Sequence, residues 1–163
     1  ALFPNDFNDK KVRLIWVMRP WRSPRSERVY QAEKNMAVDK NMQVLVVDDY
    51  KTMLRIIGNL LKQLGFNNVD TATDGSMALQ MMRRTAYGLV ISDWNMEPMT
   101  GLQLLKEVRA DGSLKETPFI MITAESKTEN VIAAKQAGVN NYIVKPFNAA
   151  TLKGKMTAVL GPF

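Results

Sequence analysis

Four short apolar runs end on residues able to handle a metal or a phosphoryl group. Gln43–Asp48 (QVLVVD) ends on Asp48, with Asp49 beside it, and Leu89–Asp93 (LVISD) ends on Asp93. Phe119–Thr123 (FIMIT) ends on Thr123 and Tyr142–Lys145 (YIVK) ends on Lys145. If these runs are parallel strands of one open sheet, their C-terminal ends share a crevice where the strand order reverses. Carboxylates gathered there repel one another and are costly without a cation. Hard oxygen ligands suit Mg²⁺, which retains waters and often uses only one or two carboxylates. A lysine opposite adds positive charge, and metal and ammonium together neutralise phosphoryl oxygens. An aspartate carboxylate is then a competent acceptor nucleophile, and Thr123 has a hydroxyl to donate to a phosphate oxygen. Singly, each residue has an ordinary alternative. Asp49 could cap a helix opening near Thr52, Thr123 could simply favour a strand, and Lys145 could be a surface charge. Together, at successive strand ends, they favour a site.

Composition narrows the chemistry further. The chain of 163 residues has no histidine and no cysteine. That removes Ser-His-Asp and Cys-His triads, the usual zinc sites and any disulfide framework. No apolar run reaches membrane-spanning length and the N-terminus lacks a secretory pattern, so a cytoplasmic location without membrane insertion is expected. The net charge of +6 is unevenly spread: residues 1–36 hold eight Lys/Arg against four Asp/Glu, and residues 37–163 hold fourteen against twelve. Most of the excess lies in the N-terminal extension, so nucleic acid is not expected as a partner.

The elements needed to position these residues alternate regularly from Gln43 onward. Met53, Ile56, Ile57, Leu60, Leu61 and Leu64 recur at helical spacing, and Gly65 suits the stop. Val69–Ala72 is a short strand. Asp74–Arg84 is a helix with Ala78, Leu79 and Met82 inward, and Leu102, Leu105 and Val108 mark another opening near Gly101. Lys127–Ala137 is an alanine-rich helix ended by Gly138. Asn148 can cap a last helix through Leu160, with Leu152, Met156, Val159 and Leu160 on its inner face. Five strands alternating with five helices imply an α/β fold: a doubly wound parallel sheet covered on both faces. The nearly unbroken apolar strands are those of a sheet buried on both sides.

The extension, residues 1–36, is basic and rich in Arg and Pro, with only Val12–Met18 (VRLIWVM) strand-like. It is read as a linker or upstream sequence, Met36 preceding a natural start at Ala37. A partner-binding arm or an extra edge strand built from Val12–Met18 is the sharper alternative. The domain is expected over residues 37–163, and no output domain is expected beyond Leu160.

VLVVDDYKTMLRII, LLKQLGFNNV, VISDWNM, GLQLLKEVRADG, TAESKTENVIAAKQAG and YIVKPFNAATLKGK cover nearly all of the chain beyond the extension. In order and spacing they resemble a response-regulator receiver, most closely the CheY-like receivers of chemotaxis. The resemblance implies the flavodoxin-like strand order 2-1-3-4-5 and a phosphoacceptor at Asp93. It implies Mg²⁺ held directly by Asp49 and Asp93, partly through water by Asp48, and by the Asn95 backbone carbonyl. Lys145 and Thr123 would contact the phosphoryl group, Thr123 and Tyr142 would form the switch pair, and Lys145–Pro146 would be cis. Ser126, Lys127, Val131, Tyr142 and Lys155 would form the output face. A sensor histidine kinase would donate the phosphoryl group and the flagellar motor switch would receive the signal, the chain being a regulator rather than a turnover enzyme. A single-domain phosphate sink or cell-cycle switch is the alternative within the family. A flavodoxin-like cofactor binder would want a Gly/Ser/Thr-rich loop where Asp48-Asp49 stands. A phosphatase using an aspartate nucleophile would want a second aspartate where Asn95 stands. The loop Met96-Glu97-Pro98-Met99-Thr100-Gly101 departs from the family pattern, in which proline directly follows the methionine and an acid precedes the glycine. Glu97 adds negative charge near the site, with consequences for metal affinity or phosphate lifetime.

Overall fold

A computed structural model describes residues 38–124 and 126–163, and Val38–Phe163 forms one compact unit. The expectations for residues 1–36, including the Val12–Met18 strand, lie outside the described residues. Strands and helices alternate: β1 (Val44–Val47), α1 (Lys51–Gln63), β2 (Val69–Ala72), α2 (Gly75–Arg84), β3 (Leu89–Asp93), α3 (Gly101–Ala110), β4 (Phe119–Thr123), α4 (Thr128–Gln136), β5 (Asn141–Val144) and α5 (Ala149–Leu160). The sheet is wholly parallel, in the order β2-β1-β3-β4-β5. This is the α/β architecture that the alternation implies.

The period of two along each strand divides the core between two faces. Leu45, Val47, Val90, Phe119 and Met121 pack with Ala78, Leu79 and Met82 of α2 and with Leu104, Leu105 and Val108 of α3. Val44, Val46, Leu89, Ile91, Ile120, Ile122 and Ile143 pack with Leu54, Ile57 and Leu61 of α1 and with Leu152 and Met156 of α5. Each such side chain, once buried, contributes roughly 1.5–3 kcal/mol. Phe66 lies wholly buried and meets Phe163 edge-on, ring centroids 5.1 Å apart. Among the described residues no helix is long and apolar enough to cross a membrane.

Several expectations need correction. The buried stripe of α1 is Leu54, Ile57 and Leu61, whereas Ile56 is 45% exposed. Ile56 stands roughly a third of a turn from the centre of that stripe, so spacing alone wrongly turned Ile56 inward and left out Leu54. In α3 the buried leucines are Leu104 and Leu105, with Leu102 at the margin. Burial on both faces holds for β1, β3 and β4 but not for β2 and β5, which are the sheet edges and only half-buried. β1 stops at Val47 and β5 at Val144, so Asp48 and Lys145 lie one residue beyond their strands. Asp74 is the N-cap of α2, its carboxylate accepting from the Met77 N–H at 2.8 Å. Asn148 caps α5 as expected, accepting from the Thr151 N–H at 2.9 Å.

The end of the sheet opposite the acidic residues is tied by one side chain. Arg109 of α3 donates to the carbonyls of Gly138 (3.0 Å), Lys115 (2.8 Å) and Thr117 (2.7 Å) and to Asn140 Oδ1 (2.8 Å). Asn140 Oδ1 also accepts from the Phe119 N–H at 2.8 Å, so this fork joins α3, the loop into β4 and the turn after α4. Lysine lacks the planar fork and cannot span these acceptors. Arg109→Met and Arg109→Lys are each expected to lower stability by about 2 kcal/mol. Urea unfolding with an unchanged m-value is the check.

Candidate functional site

Period-two alternation carries past the ends of the strands. Asp48 follows the parity of Val44 and Val46, Asp93 that of Leu89 and Ile91, and Lys145 that of Ile143. All three therefore emerge toward the α1 and α5 side at the C-terminal end of the sheet. Thr123 and Tyr142 follow Phe119 and Met121 toward the other face, where Tyr142 packs half-buried against the core. The crossing from β1 to α1 supplies Asp49, which is exposed.

Asp48, Asp49 and Asp93 each bring a carboxylate oxygen within 4.8 Å of the others. Lys145 Nζ donates to Asp93 Oδ1 at 3.0 Å and lies 3.7 Å from Asp48 Oδ2. Asp48 is 1% exposed; its Oδ1 accepts from the Tyr50 N–H at 2.9 Å, and its Oδ2 has no hydrogen-bond partner. Three carboxylates thus face one ammonium. An orphaned buried carboxylate oxygen within an oxygen-only cluster fits a hard divalent cation such as Mg²⁺. Asp49 is not a helix cap: Tyr50 holds the N-cap position of α1, with no side-chain cap bond.

The backbone around Asp93 is braced on both sides. The Trp94 N–H donates to the Ile122 carbonyl at 2.9 Å, and the Gly101 N–H donates to the Trp94 carbonyl at 2.9 Å. A Cβ on Gly101 would collide with the Asp93 carbonyl oxygen and stand 2.8 Å from Met121 Sδ. Spacing marks Gly101 only as a helix opening; its need to approach Asp93 closely is visible only in three dimensions. Thr100, standing where the family has an acid, caps α3 in a capping box: its Oγ1 accepts from the Gln103 N–H and Gln103 Oε1 accepts from the Thr100 N–H. Asn95 and Glu97 are exposed in the same loop, and Met96 is buried at 2%. Both Glu97–Pro98 and Lys145–Pro146 are cis.

Thr123 is buried at 1%, and its carbonyl accepts from the Lys145 N–H at 2.7 Å, which joins β4 to the lysine. Tyr142 lies opposite Met121 on β5. Ser126 and Lys127 are exposed just before α4, Val131 is half-buried on α4, and Lys155 is half-buried on α5. They come from the loop after β4, the helix that follows it, β5 and α5.

Residues 44–157 match the response regulator receiver domain. The chain belongs to the response-regulator receiver family. The chemotaxis protein CheY-3 of Vibrio cholerae is 55% identical over 122 residues, covering 75% of this chain and 94% of that protein. The chemotaxis protein CheY of Pseudomonas aeruginosa is 51% identical over 118 residues, covering 72% and 95%. Among solved structures, Vibrio cholerae chemotaxis protein CheY4 aligns with a TM-score of 0.70 at 36% identity, covering 74% of this chain and 99% of that one. The receiver domain of a Pseudomonas aeruginosa sensor histidine kinase aligns with a TM-score of 0.68 at 27% identity, covering 74% and 98%. That structure has a magnesium ion coordinated in its active-site cleft. Two-component signalling by a phosphoacceptor receiver is the family's activity, and the two relatives compared by sequence are chemotaxis proteins.

Burial raises the pKa of Asp48 from 3.8 to about 6; the Tyr50 N–H opposes the rise, the Asp93 charge adds to it, Lys145 opposes it and Asp49 adds to it. A folded-state pKa above the unfolded value means that the proton favours the folded receiver. This contribution is complete below pH 3.8 and is lost as pH rises through about 6. In chelator, Asp48→Asn is expected to gain stability over the natural receiver as pH is raised from 4 to 7.5, by up to about 3 kcal/mol. Paired denaturation curves across that range are the check; a difference independent of pH would contradict it.

Proposed function

We propose that this receiver accepts a phosphoryl group on Asp93 with Mg²⁺ and carries it as a conformational signal from a chemotaxis kinase to the flagellar motor switch. The observation that carries this reading is the Asp93–Lys145 pair at 3.0 Å, set beside two further carboxylates of which one has an orphaned oxygen. An Asp93 carboxylate oxygen attacks phosphorus. The bond from phosphorus to the donor breaks, and its electron pair leaves with the donor, an imidazole of a phosphohistidine or the acetate of acetyl phosphate. Asp49, Asp93 and the Asn95 carbonyl would hold the metal directly and Asp48 partly through water. When bound, Mg²⁺ supplies neutralisation of charge on the phosphoryl oxygens. Lys145 does the same from the opposite side and holds the Asp93 carboxylate in place beforehand. The magnesium in the related kinase receiver supports the choice of metal.

The signal leaves through Thr123 and Tyr142. New charge and acceptor oxygens at Asp93 draw the Thr123 hydroxyl and Lys145 inward. Movement of Thr123 opens space beneath α4 for Tyr142 on the neighbouring strand. The face carrying Ser126, Lys127, Val131, Tyr142 and Lys155 changes shape and gains affinity for the switch protein. The setting is the bacterial cytoplasm. Residues 1–36 lie outside this machinery, as an extension to a receiver spanning residues 37–163.

Mass spectrometry after treatment with acetyl phosphate and Mg²⁺ tests the acceptor. A gain of one phosphoryl group is expected for the full chain and for residues 37–163 alone. No gain is expected for Asp93→Asn, whose amide fills the same space without acting as a nucleophile. Equal labelling of the variant would sink the assignment. The output is tested by titrating a switch-protein peptide with and without beryllofluoride. A gain of roughly 1–3 kcal/mol is expected in the natural receiver, and Thr123→Ala should lose it while still being phosphorylated.

A further inference from the structure

A second surface with its own chemistry lies between α1 and β2, at the end of the strand order opposite β5; Lys51, at its mouth, follows Asp49 of the carboxylate cluster by two residues. It is a groove of about 400 Å³ whose lining includes Lys51, Arg55 and Lys62 and, among the described residues, no acid. On a helix these three positions fall on one narrow stripe, because offsets of four and eleven residues both return close to the starting direction. Gly58 lies on the same stripe. Among the described residues nothing stands within 4 Å of a Cβ built there, so packing among them does not require glycine, and its missing side chain leaves the groove open. Among the described residues, none of the three cations has an ion-pair partner.

The opposite wall is β2, the edge strand of the sheet among the described residues. The carbonyls of Asn68 and Ala72 accept from Val44 and Asp48 of the β1 segment, at 2.9 and 3.1 Å. In a parallel ladder residues alternate, so those at odd offsets from Asn68 and Ala72 direct their N–H and C=O groups away from that partner. These residues are Val69, Thr71 and Thr73, and all three line the groove. One wall therefore presents peptide hydrogen-bonding groups and the other presents a row of cations. Lys51 and Arg55 are about 6 Å apart along the helix axis and Lys62 is about 10 Å further on. Same-face side chains of an extended chain repeat at about 6.6 Å.

We propose that this groove docks an extended acidic segment of a partner protein, which adds to β2 as a further strand and sets alternate Asp or Glu side chains on Lys51, Arg55 and Lys62. Strand addition supplies the main-chain bonds and the cation row selects the sequence. A nucleic acid would meet the cations but has no peptide groups to pair with the β2 edge. The proposal is independent of phosphorylation at Asp93.

The probe is a fluorescein-labelled short peptide alternating Glu with Thr, titrated against the full chain by anisotropy, with amide shifts recorded in parallel. Saturable binding is expected, weakened as NaCl is raised from about 0.05 to 0.5 M, with shifts centred on Val69, Thr71 and Thr73. Arg55→Ala should weaken it roughly fivefold. Gly58→Leu should abolish it by filling the groove, while melting temperature holds or rises because leucine is the better helix former. The proposal is overturned if the Gln-for-Glu peptide binds equally well, or if Gly58→Leu leaves affinity unchanged. It is also overturned if the shifts fall elsewhere, or if a single-stranded oligothymidylate binds as tightly with the same shifts.

Discussion

Like charges held close together are the constraint on which this receiver turns. Asp48, Asp49 and Asp93 converge with Lys145 as the nearby cation, and Asp48 is buried enough for its proton to be held to about pH 6. A site optimised for stability would not contain this arrangement, since an apolar or amide side chain at Asp48 would relieve it. The arrangement makes sense as a receptor for positive charge, and then for a phosphoryl group brought in beside that charge. In the proposed function, stability given up in the free receiver is recovered on binding, and a small site can thereby bias a whole domain.

The rest of the fold holds these charges in place. Parallel strands in the order β2-β1-β3-β4-β5 bring the ends of β1, β3 and β5 to one rim, and strand parity turns Asp48, Asp93 and Lys145 toward the same side. The loop after Asp93 is shaped by a glycine that lets α3 begin almost against the Asp93 carbonyl, and by the Thr100–Gln103 capping box. The departure from the family pattern at Thr100 therefore has a local physical role. A hydroxyl accepts from the same kind of helix N–H that an acid would, while adding no further negative charge to a crowded rim. Glu97 does add charge, but it projects into solvent, where screening is strong.

At the other rim the structure is tied rather than poised. Arg109 joins α3, the loop into β4 and the turn after α4 through four acceptors. At its start α4 has no side-chain cap, and it buries only Ala134. The turn that follows that helix is thus held by a guanidinium fork, while the helix itself buries little, which suits an element beside the proposed switch pair. The two sheet edges differ as well. β5 borders the proposed output face, whereas β2 stands beside a row of cations.

Residue order and type were enough to determine the alternation of elements, the α/β class and the identity of the acidic, hydroxyl and lysine residues at strand ends. Apolar runs ending in Asp48, Asp93, Thr123 and Lys145 are local patterns, and local patterns survive in one dimension. The inner face of α1 was only partly legible, because helical spacing admits both Ile56 and Leu54 and only the neighbouring strands choose Leu54. The edge character of β2 and β5 was not legible, since it depends on which strands lie outermost. The contact forbidding a side chain at Gly101 and the Arg109 fork join residues far apart in the chain, and so does the pairing of Lys145 with Asp93 across fifty-two positions. Distances of that kind are set by sheet register and helix packing, and no spacing rule along the chain encodes them.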